Sequence, residues 1–205
     1  SQEGILFLIM IVMALFLATR TDKFLTVDNL LNQGRWLAEV GLVALPMTYI
    51  IITGGIDLSV GSILGLSAIM LGYSWQEWGL PLEAAIVVAL LTGVIAGWFN
   101  GLLIIRVGIP PLIMTLATLA LYRGLALGIS QAGSVRGYPD WFNQLGQGSV
   151  LGIPTQVWLL IVSTIIFGIV LARTVFGRTL YSIGNNELAT RFAGLQVNRA
   201  KLIIY

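Results

Sequence analysis

An all-α polytopic membrane bundle of about six spans is the fold class that the sequence predicts, on three observations. Hydrophobic residues make up 57% of the 205 residues and charged residues only 10%, with a mean hydropathy of +0.92. Soluble domains carry roughly 25% charged residues, so this chain has too little polar surface to solvate a globule. Six apolar runs follow one another, most of them close to the roughly 20 residues that a helix needs to cross hydrocarbon. With their connections they fill a single transmembrane domain over residues 1–205 and leave no room for a separate soluble one. The third observation is the segment Ile52-Thr53-Gly54-Gly55-Ile56-Asp57-Leu58-Ser59-Val60-Gly61-Ser62, which sets a lone carboxylate and paired glycines between two apolar runs. Hydrocarbon tolerates neither a free backbone amide nor an unpaired charge, so such a break must be capped, buried in protein or placed at a surface.

The first run, Gly4–Thr19, has neither a basic leader nor a small-residue cleavage site and reads as a helix, not a signal peptide. A polar loop, 20–36, follows; Glu39, four residues beyond Arg35 and within the next run, is spaced to pair with it on one helix face. The second and third runs, Leu37–Thr53 and Leu58–Tyr73, lie near the lower length limit. They are two short helices on a tight turn, or one element broken at Gly54-Gly55. Those glycines permit the reversal, and Asp57 is expected to cap the third helix by accepting an amide proton from Val60. Ser59 and Gly61 complete the motif. A cation or substrate site at the break is the sharper alternative, although one carboxylate alone makes a poor ion site.

After a polar loop at 74–82 comes the fourth run, Glu83–Ile105. Gly93, Gly97 and Gly101 share one face of it, and their missing side chains let a neighbouring helix approach closely or leave a narrow groove. Asn100, beside the last of them, is suited to an interhelical hydrogen bond. On the fifth run, Pro110–Ile129, Thr115, Thr118 and Tyr122 fall in one narrow sector. This polar stripe should face protein or water; it can offer hydrogen bonds to a passing solute or bond back to carbonyls one turn earlier. Arg123 lies further round and can snorkel to the outer interface. The loop at 130–155, with Trp141, Phe142, Pro139 and Pro154, reads as an ordered exterior cap, and Gln156–Ala172 is the sixth run.

The last loop, 173–201, carries Arg173, Arg178, Arg191, Arg199 and Lys201, which places it in the cytoplasm. Counting back puts the amino terminus, the Gly54–Asp57 turn and Arg106 on the same side, and the loops at 20–36, 74–82 and 130–155 outside. Arg20, Lys23 and Arg35 run against that rule. Within the last loop, Asn185 or Asn186 can cap a short helix that begins with Glu187 and that Gly194 can end. Leu188, Phe192 and Leu195 give it one apolar edge, while Glu187, Thr190 and Arg191 occupy other faces. Such a helix can lie on lipid, pack on its own bundle or plug into a partner. The stretch Leu202-Ile203-Ile204-Tyr205 reads as the start of a further span, so the sequence is expected to be a fragment, cut at both ends.

Histidine and cysteine are absent, which removes zinc sites with nitrogen or sulfur ligands, thiol nucleophiles, serine–histidine triads and disulfides. The chain has no phosphate-cradling Gly-x-x-x-x-Gly-Lys-Ser/Thr loop. Its net charge of +2, with no basic run, gives no footprint for nucleic acid. A membrane enzyme is disfavoured, since the spans hold no paired carboxylates.

In order along the chain, Gly55-Ile56-Asp57-Leu58-Ser59-Val60-Gly61-Ser62, Asn100-Gly101, Ile109-Pro110-Pro111, Thr115-Leu116-Ala117-Thr118-Leu119, Arg123-Gly124, Thr174-Val175-Phe176-Gly177-Arg178 and Ile183-Gly184-Asn185-Asn186-Glu187 leading to Ala193-Gly194 resemble the membrane permeases of ATP-binding-cassette importers for monosaccharides, the ribose-permease-like family. The likeness covers nearly the whole chain. It implies a multi-pass protein of the bacterial inner membrane, a second permease subunit (the same chain or a different one), two cytoplasmic ATPases and a periplasmic or extracellular sugar-binding protein. No cofactor is implied for this chain; ATP and Mg would sit on the ATPases. The resemblance implies that 173–201 is a coupling loop, with Gly184, Asn186, Glu187, Leu188, Ala189, Arg191, Phe192, Gly194 and Leu195 meeting the ATPase. Ala189 fits the Glu-Ala-Ala loop of other importers, and Leu188 departs from it. Asn100, Thr115, Thr118 and Tyr122 become candidates for a sugar path worked by alternating access, for a ribose-like, rhamnose-like or related solute. The competing readings are a branched-chain amino-acid-type permease of the same class, and a stand-alone secondary carrier or channel, which the shortage of buried acids disfavours.

Overall fold

The computed structural model of the chain describes residues 2–205; Ser1 lies outside the described residues. It is helical nearly throughout: α1 (Gln2–Arg20), α2 (Val27–Ile52), α3 (Val60–Gln76), α4 (Leu82–Leu102), α5 (Pro111–Ser130), α6 (Asp140–Gln147), α7 (Thr155–Arg173), α8 (Val175–Asn185), α9 (Glu187–Phe192) and α10 (Val197–Ile204). A π-helical turn, Leu103–Val107, prolongs α4 and ends at Gly108, whose φ of 78° is left-handed. A two-residue hairpin, β1 (Ser149–Val150) with β2 (Ile153–Pro154), is the sole sheet among the described residues.

Among these, five helical stretches are long and apolar enough to cross a membrane: Glu3–Arg20, Val27–Ile52, Leu82–Val107, Pro111–Ser130 and Thr155–Arg173. The expected third span is the shorter α3, 17 residues and about 26 Å at 1.5 Å per residue. The loop expected at 20–36 is an error of boundary. Helix α2 already begins at Val27, because Gln33 and Arg35 lower hydropathy while remaining good helix formers. Prolines mark several starts, at Pro81 and Pro139 (the caps of α4 and α6) and at Pro110-Pro111 ahead of α5, where a missing N–H costs nothing.

Two compact units form. One comprises the chain up to Leu42 with Pro139–Val162. Within it α2 and α7 approach closely at Gly41, where a Cβ would lie 2.8 Å from the Leu160 side chain. The other comprises Val43–Tyr138 with Ser163–Tyr205. Helix α4 shows how the second unit is built for lipid. Ala85, Ala96, Gly97, Asn100 and Gly101 are buried, while Val87, Leu90, Leu91, Val94 and Trp98 are exposed. Small and polar residues face protein and bulky apolar ones face outward, the pattern of a membrane helix. Gly93 packs on Ser67 of α3, and Gly97 and Gly101 meet Tyr205 and Leu202. The glycine repeat therefore serves close helix approach.

Candidate functional site

Two features of the second unit concentrate its polar chemistry, the break after α2 and the knob formed by α8, α9 and α10. At the break α2 closes with the Thr53 N–H donating to the Ile50 carbonyl at 3.1 Å and the Gly55 N–H to the same carbonyl at 3.0 Å. Gly54 takes a φ of 77°, open to glycine without steric cost. Gly55 is needed for space, since a Cβ there would lie 2.6 Å from the Tyr205 hydroxyl oxygen and 2.9 Å from the Ile50 side chain.

The Asp57 cap differs from expectation. Its Oδ1 accepts from the Ser59 N–H at 2.7 Å and the Ser59 hydroxyl at 2.6 Å, and Ser59 stands at the cap position of α3 with no side-chain cap bond. Asp57 thus forms a local turn with the residue two on, one position short of Val60. Asp57 is 5% exposed and Ser59 fully buried, so this bonding is what keeps the carboxylate tolerable.

From Ser59 the bonding crosses the bundle. Asn100 Nδ2 donates to the Ser59 hydroxyl oxygen at 2.8 Å. The Tyr122 hydroxyl donates to the Ala96 carbonyl at 2.9 Å and reaches Asn100 Oδ1 at 3.3 Å. Thr115 donates to the Pro111 carbonyl at 2.8 Å and reaches the Ile56 carbonyl at 3.3 Å; Thr118 bonds back to Met114 at 3.1 Å. The structure therefore brings Asn100 and Tyr122 together with the break, and buries all four candidate path residues with their hydroxyls and amide committed to protein. Interhelical bonds of this kind are worth about 0.6 kcal/mol each in membranes, and orphaning a buried partner costs about 1–3 kcal/mol. This network fixes α3, α4 and α5 against one another.

Open space lies elsewhere, between α3 and α5. A groove of about 700 Å³ is lined by Gly61, Ser62, Gly65, Ala68, Arg123 and Ser130. It shares Ile69, Ser130 and Gly133 with a second cavity of about 300 Å³ that continues to Gln76, Glu77 and Ser134. A Cβ added at Gly61 or Gly65 would meet nothing within 4 Å, so these glycines widen the groove and seat no neighbour.

The knob is closed by local hydrogen bonds at both ends. Thr174 caps α8 by accepting from the Gly177 N–H at 3.2 Å. Asn186, not Asn185, caps α9, its Oδ1 accepting from the Ala189 N–H at 2.9 Å. At the far end the Gly194 N–H donates to the Arg191 carbonyl at 3.0 Å and the Leu195 N–H to the Thr190 carbonyl at 3.3 Å. With φ of 80° at Gly194 this is a Schellman closure. Thr190 is buried, whereas Leu188, Phe192 and Leu195 are 63%, 84% and 39% exposed. Leu180, Ile183, Val197, Ala200 and Ile204 anchor the knob to Tyr49 and Ile50 of α2. A Cβ at Gly184 would collide with the Ile52 carbonyl at the end of α2. The knob is thus seated directly on the break, around a cavity of about 180 Å³ that Thr53, Gly54, Gly55, Glu187, Lys201 and Tyr205 help to line.

Helices α8 and α10 and the role of Lys201 were not legible as loop residues of 173–201; the recurrence of Phe176, Leu180 and Ile183 at helical spacing was the signal for α8. Lys201 Nζ lies 2.5 Å from Glu187 Oε2, and Arg191 2.7 Å from Oε1. Hydrogen bonding from Lys201, then from Arg191, holds the Glu187 carboxyl below its usual range. A lowered folded pKa stabilises above the unfolded value, and that stabilisation is lost as pH falls through the folded one. Thermal melts should accordingly hold steady down to about pH 4, near the ordinary glutamate value, and fall below it. Glu187→Gln should remove that acidic component and leave the melt at neutral pH slightly lower.

A family model described as "Branched-chain amino acid transport system / permease component" matches residues 29–205. The autoinducer 2 import system permease protein LsrD of Enterobacter sp. (strain 638) is 39% identical over 100% of this chain and 64% of its own length. Its counterpart in Klebsiella pneumoniae subsp. pneumoniae is 38% identical over 100% of this chain and 63% of its length. The LsrD of Yersinia enterocolitica is 36% identical over 90% of this chain and 57% of its length. The chain spans less than two thirds of the length of these curated relatives. No solved structure matches it.

Proposed function

The chain belongs to the branched-chain amino acid transport system / permease component family, and we propose that it is the membrane-spanning subunit of an ATP-driven importer for a monosaccharide or the related solute autoinducer 2. It is a multi-pass protein of the bacterial inner membrane and a permease subunit, not an enzyme. Its relatives are named for import of autoinducer 2 and not of an amino acid. ATP and Mg belong to cytoplasmic ATPases in this reading, a second permease subunit completes the path, and an external binding protein delivers the solute.

One observation carries the proposal: an exposed apolar edge on α9, fixed at both ends and seated through Gly184 on the end of α2. A rigid knob transmits displacement, because a packed helix pair shifts as a body instead of bending. When the ATPases close, α9 moves with them, and the Ile52–Gly184 contact passes the motion to the break at Gly54. Asp57, Ser59, Asn100 and Tyr122 then tie the break to α3, α4 and α5, so those helices follow together. The buried network has the role of a brace, and the α3–α5 groove that of one wall of the path. Arg123 presents a guanidinium there to a polyhydroxylated solute, and Ser62 and Ser130, whose hydroxyls donate to the Ser59 and Leu127 carbonyls, leave their oxygens as acceptors.

The test is uptake by the permease reconstituted with its ATPases and binding protein. Uptake that requires ATP inside, and that survives collapse of ion gradients by ionophores, supports the proposal. Uptake driven by an ion gradient in vesicles lacking the ATPases overturns it.

A further inference from the structure

Helix α6 and the hairpin after it play no part in the coupling scheme, yet they carry a strongly sided surface. At 100° per residue Trp141, Phe142 and Leu145 cluster on one side of α6, while Asp140, Gln144 and Gln147 occupy the opposite arc. Trp141 and Leu145 are exposed, Trp141 standing edge-to-face on Phe142 with ring centroids 5.7 Å apart. Trp141, Leu145 and Val150 line one shared concavity. The hairpin turn is Leu151-Gly152, with φ of 54° and 77°. A bulky residue at positive φ is strained, and Leu151 is 88% exposed as well. In water this tip would be unfavourable twice over.

The position of this surface follows from its tether. The Thr155 N–H donates to the Gly148 carbonyl at 3.1 Å and the Thr155 hydroxyl to the Gln144 carbonyl at 3.4 Å. The Gln156 amide bonds the Gly146 carbonyl, and Trp158 Nε1 donates to the Val150 carbonyl at 3.1 Å. These bonds pin the end of α6 and the hairpin to the first turn of α7, the point at which an exposed apolar span enters the bilayer. A segment pinned there lies at the membrane–water boundary, where tryptophan and amphipathic helices are favoured.

We propose that α6 and the 149–154 hairpin form an interfacial anchor, with Trp141, Leu145 and Leu151 inserted among the lipids of the leaflet that α7 enters. From Pro139 to Trp158 Asp140 is the only charged residue, so the anchor engages the glycerol and upper acyl region of any bilayer and does not depend on anionic headgroups. The proposal needs only that α7 spans, and stands apart from the importer assignment.

The absence of cysteine makes the test direct. Leu145→Cys, Leu151→Cys and Gln147→Cys, each spin-labelled in the full chain in phosphatidylethanolamine–phosphatidylglycerol vesicles, are compared for access to oxygen, which partitions into lipid, and to a nickel chelate, which stays in water. Labels at 145 and 151 should favour oxygen and the label at 147 the chelate, unchanged when the anionic lipid is omitted or salt is raised. Preference for the chelate at 145 and 151 overturns the anchor. Exclusion of both reagents from 145 and 151 also overturns it, by placing a protein surface there.

Discussion

A chain carrying Gly184→Val inserts into the membrane but loses the seating of its α8–α10 knob. The obstacle that a side chain meets at this position is the backbone carbonyl of Ile52, which unlike a rotamer cannot swing aside. Overpacking costs typically 1–3 kcal/mol where side chains can yield, so a loss of about 3 kcal/mol is expected here. The measurements are the thermal melt of the purified protein and limited proteolysis across 173–201. The melt should fall and cleavage in the knob should rise, with ATP hydrolysis no longer driving uptake. Gly168→Ala is the control, since that helical glycine has nothing within 4 Å of an added Cβ and should leave the melt unchanged or raise it. A Gly184→Val protein with the melt and transport of the parent would show that α8 does not bear on α2.

That contact is invisible in the sequence. Gly184 carries no periodic signature of its own, unlike Gly93, Gly97 and Gly101, whose spacing announces a helix face that the structure packs against Ser67, Tyr205 and Leu202. The apolar runs are legible because hydrocarbon imposes length and composition on each span independently of its neighbours. The boundaries of α2 are not, because polar residues such as Asn29 and Arg35 lower hydropathy while the backbone stays helical. The caps of α9 are legible as a class, Asn186 and Gly194 being local chemistry within one turn. The Asp57–Ser59 turn and the back-bonds of Thr115 and Thr118 to Pro111 and Met114 are likewise local, but the partners of Asn100 and Tyr122 and the reach of Thr115 to Ile56 are not legible, since they are decided by packing between helices. The polar stripe on α5 is the instructive case. Its spacing requires a polar surrounding, and both a solute path and a protein interior satisfy that requirement; the structure supplies the interior, through Ala96, Asn100 and Ile56.

Leu188→Asp combined with Phe192→Asp is expected to abolish engagement of the ATPase while leaving the melt of the isolated permease unchanged. Both side chains are more than half exposed, so the fold gains little from them, and substitutions at such positions usually stay within about 0.5 kcal/mol. Single exposed apolar residues need no explanation on a protein surface. Three along one edge of a helix closed by an Asn186 cap, a Schellman turn and two ion pairs are different, because that helix is already ordered before any partner arrives. Binding to a prepared edge loses less side-chain and loop entropy, and an aromatic seated in a pocket at the centre of an interface commonly contributes about 2 kcal/mol or more. Loss of both residues should therefore weaken capture of the ATPase by about 30-fold or more, a factor that follows from about 2 kcal/mol. Co-purification of the ATPase with the doubly substituted permease in detergent reads this out. If α9 instead lies on lipid, the ATPase co-purifies at full yield and the substituted edge is released from the membrane surface, so the same protein distinguishes a lever gripped by a motor from a helix resting on a bilayer.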